Sequence, residues 1–194
     1  MPSLRRTGRR WALPPQTHAL NGTSLRILGL DPGSQATGYG VIDWSAGQAR
    51  FVTCGTIRTR GDAFPQRLRQ IFDGVESLMR EFAPDEIAVE RVFMHRNADS
   101  ALKLGQARGA AICAVFSASS TLFEYAPREV KLAIVGQGGA QKDQVQLMVR
   151  NLLRLQGELG PDAADAVGLA LCHAYSRGAR QAVEAAEALQ GARP

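Results

Sequence analysis

Asp31 and Glu90 each close a short apolar run, LeuArgIleLeuGlyLeuAsp over 25–31 and GluIleAlaValGlu over 86–90. Asp162 and Asp165 sit three apart where a helical pattern begins. A carboxylate at the end of a buried strand is unfavourable without a partner, and carboxylates sharing a cleft repel one another unless cations neutralise them. Hard divalent cations prefer oxygen ligands, and a pair of Mg²⁺ or Mn²⁺ ions held by such acids is an arrangement used to cut phosphodiesters. The four acids therefore suggest metal-dependent nuclease chemistry.

Three of the acids also have a plainer reading, and Glu90 is the one hardest to explain away. Asp31-Pro32-Gly33 is a turn signature. Pro161-Asp162-Ala-Ala-Asp165 reads as a helix N-cap with an acid at the capping-box position, where the helix dipole favours it. The readings are compatible, because residues three apart share a helix face. His173 fails as a ligand: eight residues past Asp165, it lies ~12 Å further along a helix. The three cysteines, Cys54, Cys113 and Cys172, are far apart with no CxxC pair, and fit buried thiols in a reducing cytoplasm better than disulfides or zinc.

The elements that must position these acids follow from apolar periodicity. Strands are predicted at 25–31, 38–44, 49–58, 86–90 and 120–125, the first three spaced closely enough for an antiparallel meander. Helices are predicted at 63–82, 98–118, 127–135, 141–155 and 162–177. The fold class is α/β, a mixed five-stranded sheet flanked by helices on both faces. Strands one and four, joined through a helix, are expected to lie parallel and adjacent, so that Asp31 and Glu90 emerge at one sheet edge.

The 194 residues, 45% apolar, suit one domain, and no stretch approaches the ~20 apolar residues of a membrane span. The net charge is +5, but Arg5, Arg6, Arg9 and Arg10 supply +4 of it. Affinity for nucleic acid must then come from a local basic stripe. Residues 1–24 are expected to be a disordered basic extension, 25–178 the folded domain, and 179–194 an Ala/Glu-rich, loosely helical tail.

Four segments in one order resemble the RuvC family of bacterial Holliday-junction resolvases: AspProGlySerGlnAlaThrGlyTyrGlyVal (31–41), AlaValGluArgValPheMet (88–94), AsnAlaAspSerAlaLeuLysLeuGlyGlnAlaArgGly (97–109) and AspAlaAlaAspAla (162–166). The resemblance implies a ribonuclease H-like fold and a cytoplasmic homodimer that nicks four-way DNA junctions symmetrically on two strands of like polarity, in recombination and repair. It implies Asp31, Glu90, Asp162 and Asp165 as catalytic acids holding two divalent cations per subunit, Mg²⁺ or Mn²⁺. It also implies DNA contacts by Phe93, Arg96, Lys131 and Lys142, and cooperation with the branch-migration complex of RuvA and RuvB.

Phe93 follows Glu90 by three residues, and an exposed aromatic there is expected to stack on a base at a gain of ~1–3 kcal/mol. Packing in the core is the competing reading. Lys142 follows a glycine loop from which it can reach a phosphate, though a solvated cation is the ordinary alternative. Ala101, Gly105, Gly109, Cys113 and Ser117 form a row of small residues, fitting close helix packing within the subunit or across a dimer. Three rival functions remain open at this stage. AspProGlySerGlnAlaThrGly also resembles the first phosphate loop of sugar kinases and actin-like ATPases, although those need a second domain. The others are a non-catalytic junction binder and a nuclease for RNA–DNA hybrids.

Overall fold

In the computed structural model, residues 24–91, 97–116 and 120–191 are described. Five strands, β1 (Leu25–Asp31), β2 (Ala36–Ser45), β3 (Gln48–Arg58), β4 (Glu86–Glu90) and β5 (Thr121–Tyr125), form one sheet in the order β3-β2-β1-β4-β5. Pairing is antiparallel among β1, β2 and β3, and parallel from β1 to β4 to β5. The meander and the parallel β1–β4 neighbours thus stand as the spacing of turns and helices predicts.

The period of two in the strands divides the core. Leu28, Leu30, Val41, Ile57, Ile87 and Val89 face helices α1 (Phe64–Phe82) and α2 (Ala98–Val115). Ile27, Ile42, Ala88 and Tyr125 face α3 (Pro127–Val135), α4 (Lys142–Leu152) and α5 (Pro161–Gly191). Both layers are closed to water, and each fully buried Leu, Ile or Val contributes ~1.5–3 kcal/mol relative to its exposed state.

The α5 helix lies directly on the backbone of β1 and β2, which carry Gly29, Gly38 and Gly40 beneath it. A Cβ built on Gly29 would stand 1.9 Å from the Ala166 carbonyl oxygen, and one on Gly38 would stand 2.0 Å from that of Asp162. The glycines are required by this close approach, not by a turn.

Several expectations change. The α4 helix is shorter than predicted, ending at Leu152, and Arg154 just beyond it has φ 51. Instead of stopping at 177, α5 runs on through the expected tail to Gly191. Asp162 is not the N-cap: Pro161 already occupies the first helical position, its fixed φ being suited to that place, and the Ala164 N–H donates to the Gly160 carbonyl at 2.9 Å. Cys172 is buried and Cys54 partly so, but Cys113 is exposed on α2, on the face turned away from the core. All three are free thiols. The leader (1–23) and Ser117 lie outside the described residues.

Candidate active site

Asp31 shares the parity of Ile27 and Gly29, so its side chain rises on the α5 face of β1. Glu90 shares the parity of Glu86 and Ala88 on β4, and β4 pairs with β1 so that Leu30 stands beside Val89. Asp31 also stands opposite Gly38, and Gly38 touches the Asp162 backbone. These three constraints bring Asp31, Glu90 and the first turn of α5 to one sheet edge.

The electrostatics register the convergence. Burial pushes the Asp31 carboxyl up to about 7, aided by the charges of Glu90, Asp165 and Asp162, with Lys142 opposing. Glu90 is raised by burial and by Asp165, against Lys142 and Lys131. Lys142, at the start of α4, places Nζ 2.5 Å from Asp165 Oδ2. That hydrogen bond raises the Lys142 pKa against its partial burial, and Asp31 and Asp162 add to the rise. Among the described residues no three acids, histidines or cysteines close into a ready-made metal cage. The donor set still fits hard divalent cations, because the acids are oxygen ligands and the buried Asp31 carboxyl is short of positive charge.

The loop after Asp31 is held internally. Thr37 is fully buried, its hydroxyl donates to the Gly33 carbonyl at 3.3 Å, and the Gly33 N–H returns to it at 3.4 Å. A phosphate loop would need that hydroxyl and the neighbouring N–H groups turned outward, so the kinase-like reading loses its principal residue. Thr59, just past β3, binds the Ser34 and Gln35 carbonyls and tethers the same loop.

Lys131 lies on α3, near enough to act electrostatically on Glu90. Phe93 and Arg96, expected to touch DNA, lie outside the described residues. Gly105 and Gly109 have nothing within 4 Å of a built Cβ, so packing within the subunit does not explain the small-residue row. Leu102 and Phe116 are 62% and 65% exposed on the same helix.

Sequence reasoning missed two sets of supports. Arg108 on α2 donates through Nε to the Glu90 carbonyl at 3.1 Å and forms an ion pair with Glu124. His173, rejected as a ligand, is fully buried, with Nδ1 2.7 Å from the Tyr125 hydroxyl and Nε2 2.5 Å from Glu86 Oε2. The period-two placement of Glu86 with Glu90 was the available signal for the second set; none existed for Arg108.

A mixed sheet with acids gathered where two parallel central strands end is the architecture of ribonuclease H-like nucleases. The family model described as crossover junction endodeoxyribonuclease RuvC matches residues 27–173. A RuvC of Methylococcus capsulatus is 58% identical over 152 residues, covering 78% of this chain and 92% of its own. One of Aeromonas hydrophila is 56% identical over 151 residues, covering 78% and 87%. The solved Thermus thermophilus RuvC in complex with a Holliday junction substrate superposes with a TM-score of 0.74 at 35% identity, covering 80% of this chain and 96% of that one. The chain belongs to the RuvC family of crossover junction endodeoxyribonucleases. Divalent-metal dependence is general to nucleases of this family.

Proposed function

We propose that this protein is a structure-specific endonuclease that resolves four-way DNA junctions, nicking two strands of like polarity in homologous recombination and repair. The single observation that carries the reading is the sheet edge where buried Asp31 meets the charges of Glu90, Asp165 and Asp162. Asp31, Glu90, Asp162 and Asp165 would hold two divalent cations, Mg²⁺ or Mn²⁺. When bound, such ions supply an activated water and stabilise the departing 3′-oxygen. The chain's own part is to fix four carboxylates in a partly buried cleft, where charge interactions are strong.

Lys142 bridges to Asp165 and is exposed enough to swing toward a phosphate. Its glycine-containing approach, residues 136–139, gives it that freedom. Lys131 would add a second cation to the DNA path. Phe93 is assigned to stack on a base at the junction centre, and Arg96 to a backbone contact beside it.

Residues 25–178 would form the nuclease domain, residues 1–24 a disordered basic extension and 179–194 a C-terminal tail. The working form is a homodimer, because two symmetric cuts in a nearly two-fold substrate call for two sites related by a two-fold. The unpartnered row along α2, flanked by Leu102 and Phe116, is its contact surface. Gly105→Leu should then shift the protein to a monomer in light scattering; an undisturbed dimer would place the contact elsewhere. Work alongside the RuvA and RuvB branch-migration complex, in the cytoplasm, completes the reading. No helix among the described residues is long and apolar enough to cross a membrane.

Cleavage of a synthetic four-way junction with Mg²⁺ or Mn²⁺, beside a linear duplex and an RNA–DNA hybrid, tests the proposal. Paired nicks in the junction alone support it. Equal cleavage of the hybrid, or binding without cleavage, would replace it with one of the rival functions.

A further inference from the structure

Asp165 and His173 both face glutamates of β4, at opposite ends, but only His173 is bonded to its glutamate. Glu86 and Glu90 point to the same face of β4 and lie four residues apart, ~13 Å along a strand. Asp165 and His173 lie eight residues apart on α5, ~12 Å along a helix. Strand and helix therefore keep step. At one end Asp165 raises the Glu90 carboxyl by repulsion; at the other His173 Nε2 meets Glu86 at 2.5 Å.

We propose that His173 and Glu86, with Tyr125, form a clamp that fixes the axial position of α5 and thereby sets Asp162 and Asp165 against Asp31 and Glu90. His173 is a positioning residue, and the inference rests on the reading of those four acids as the metal-holding set. Between the two ends, α5 meets β1 and β2 at Gly29 and Gly40, whose neighbours across the interface are Ala166, Ala170 and Val167. Contact of that kind is close but non-directional, and the glycines add no side chains to it, so at these positions the helix is held by apolar packing from Ile27, Ile42 and Trp44 nearby. Hydrogen bonds are directional, and here one imidazole ties α5 to two strands at once. With its proton on Nε2, His173 donates to Glu86 and accepts from the Tyr125 hydroxyl. Phe123 packs against the imidazole at 4.4 Å between ring centroids, and Arg177, one turn further, donates from Nε to the other Glu86 oxygen at 3.1 Å. The clamp holds the helix where charge repulsion at its N-terminus would move it away.

The test compares wild type with Glu86→Gln, His173→Gln and Tyr125→Phe, using the whole chain. Thermal melting gives the folded fraction, calorimetric Mn²⁺ titration of DNA-free protein gives metal affinity, and junction binding in Ca²⁺ is measured beside single-turnover cleavage. We expect Glu86→Gln and His173→Gln to bind junction within about twofold of wild type. They should need at least ~5-fold more Mn²⁺ and cleave at least ~10-fold more slowly per folded molecule, with Tyr125→Phe between them and wild type. The double variant should be no worse than either single, since both break one link. Unchanged Mn²⁺ affinity and unchanged cleavage per folded molecule would overturn the clamp. If His173→Gln does not fold, Glu86→Gln and Tyr125→Phe decide alone. Failure of wild type itself to bind Mn²⁺ or cleave the junction would overturn the nuclease reading, and the clamp's purpose with it.

Discussion

The two ends of the β4–α5 contact are each centred on a β4 glutamate, Glu90 or Glu86, and behave in opposite ways. At the Glu90 end, acids face acids; burial and repulsion raise Asp31 to about 7, and Lys142 is the cation that offsets them. At the Glu86 end, one acid meets His173 and Arg177. Burial there pushes Glu86 up, but the hydrogen bonds from His173 and Arg177 outweigh it and leave the carboxyl below its ordinary value. A carboxylate satisfied by the protein holds structure together, whereas one left short of positive charge is available for a cation or a substrate.

The sharpest way to break the contrast is Asp31→Asn, which should lower junction cleavage at least ~10³-fold while leaving junction binding in Ca²⁺ intact. Normal cleavage would show that the repulsive end is not catalytic. Gly38→Ala comes next. Its Cβ would collide with the Asp162 backbone, so the start of α5 must shift, and cleavage should fall ~10²-fold with little change in binding. Lys142→Ala should reduce cleavage ~10-fold and lessen the dependence of binding on log salt concentration by about one unit. An unaltered salt slope would leave Lys142 as a mere counter-charge to Asp165.

The smallest effects concern stability, and the two ends should differ in sign. The folded Asp31 carboxyl, near 7 against an ordinary 3.8, keeps a proton that the unfolded chain has lost. Metal-free wild type therefore loses stability as pH rises from about 4 to about 7, a loss on the order of 4 kcal/mol that stays constant above. Asp31→Asn escapes it, so its melting-temperature advantage should be near zero at pH 4 and full above pH 7. Saturating Mg²⁺ should narrow that advantage. Glu86 runs the other way: its depressed value makes its contribution complete above the ordinary 4.5 and lost as pH falls through the depressed value. Glu86→Gln should be less stable by about 1 kcal/mol at neutral pH, with urea midpoints converging on wild type under acid. Parallel pH profiles for the two variants would erase the distinction between the ends.

Much of the site was legible because its signals are local. Asp31 and Glu90 stand out by ending short apolar runs, a signal that survives without any knowledge of partners. The small-residue row on α2 is equally visible, since it depends only on helical spacing. Where local reading went astray, a neighbouring residue had the deciding influence. Pro161 took the first helical position and displaced the expected Asp162 cap, and α5 continued past the predicted stop, carrying Gly178 inside the helix. His173 was dismissed on distance from the acids, correctly, but its distance from Glu86 depended on which way α5 crosses the sheet.

Composition and periodicity by themselves determined the strands, the helices and the acids worth attention, because backbone hydrogen bonding and apolar burial act within a few residues along the chain. Only the tertiary structure decided which charges meet: Asp31 with Asp165 across 134 positions, Lys142 on Asp165, Arg108 on the Glu90 carbonyl and His173 between two strands. Electrostatic interaction depends on distance in space and on exclusion of water, and neither exists until the helices have closed over the sheet.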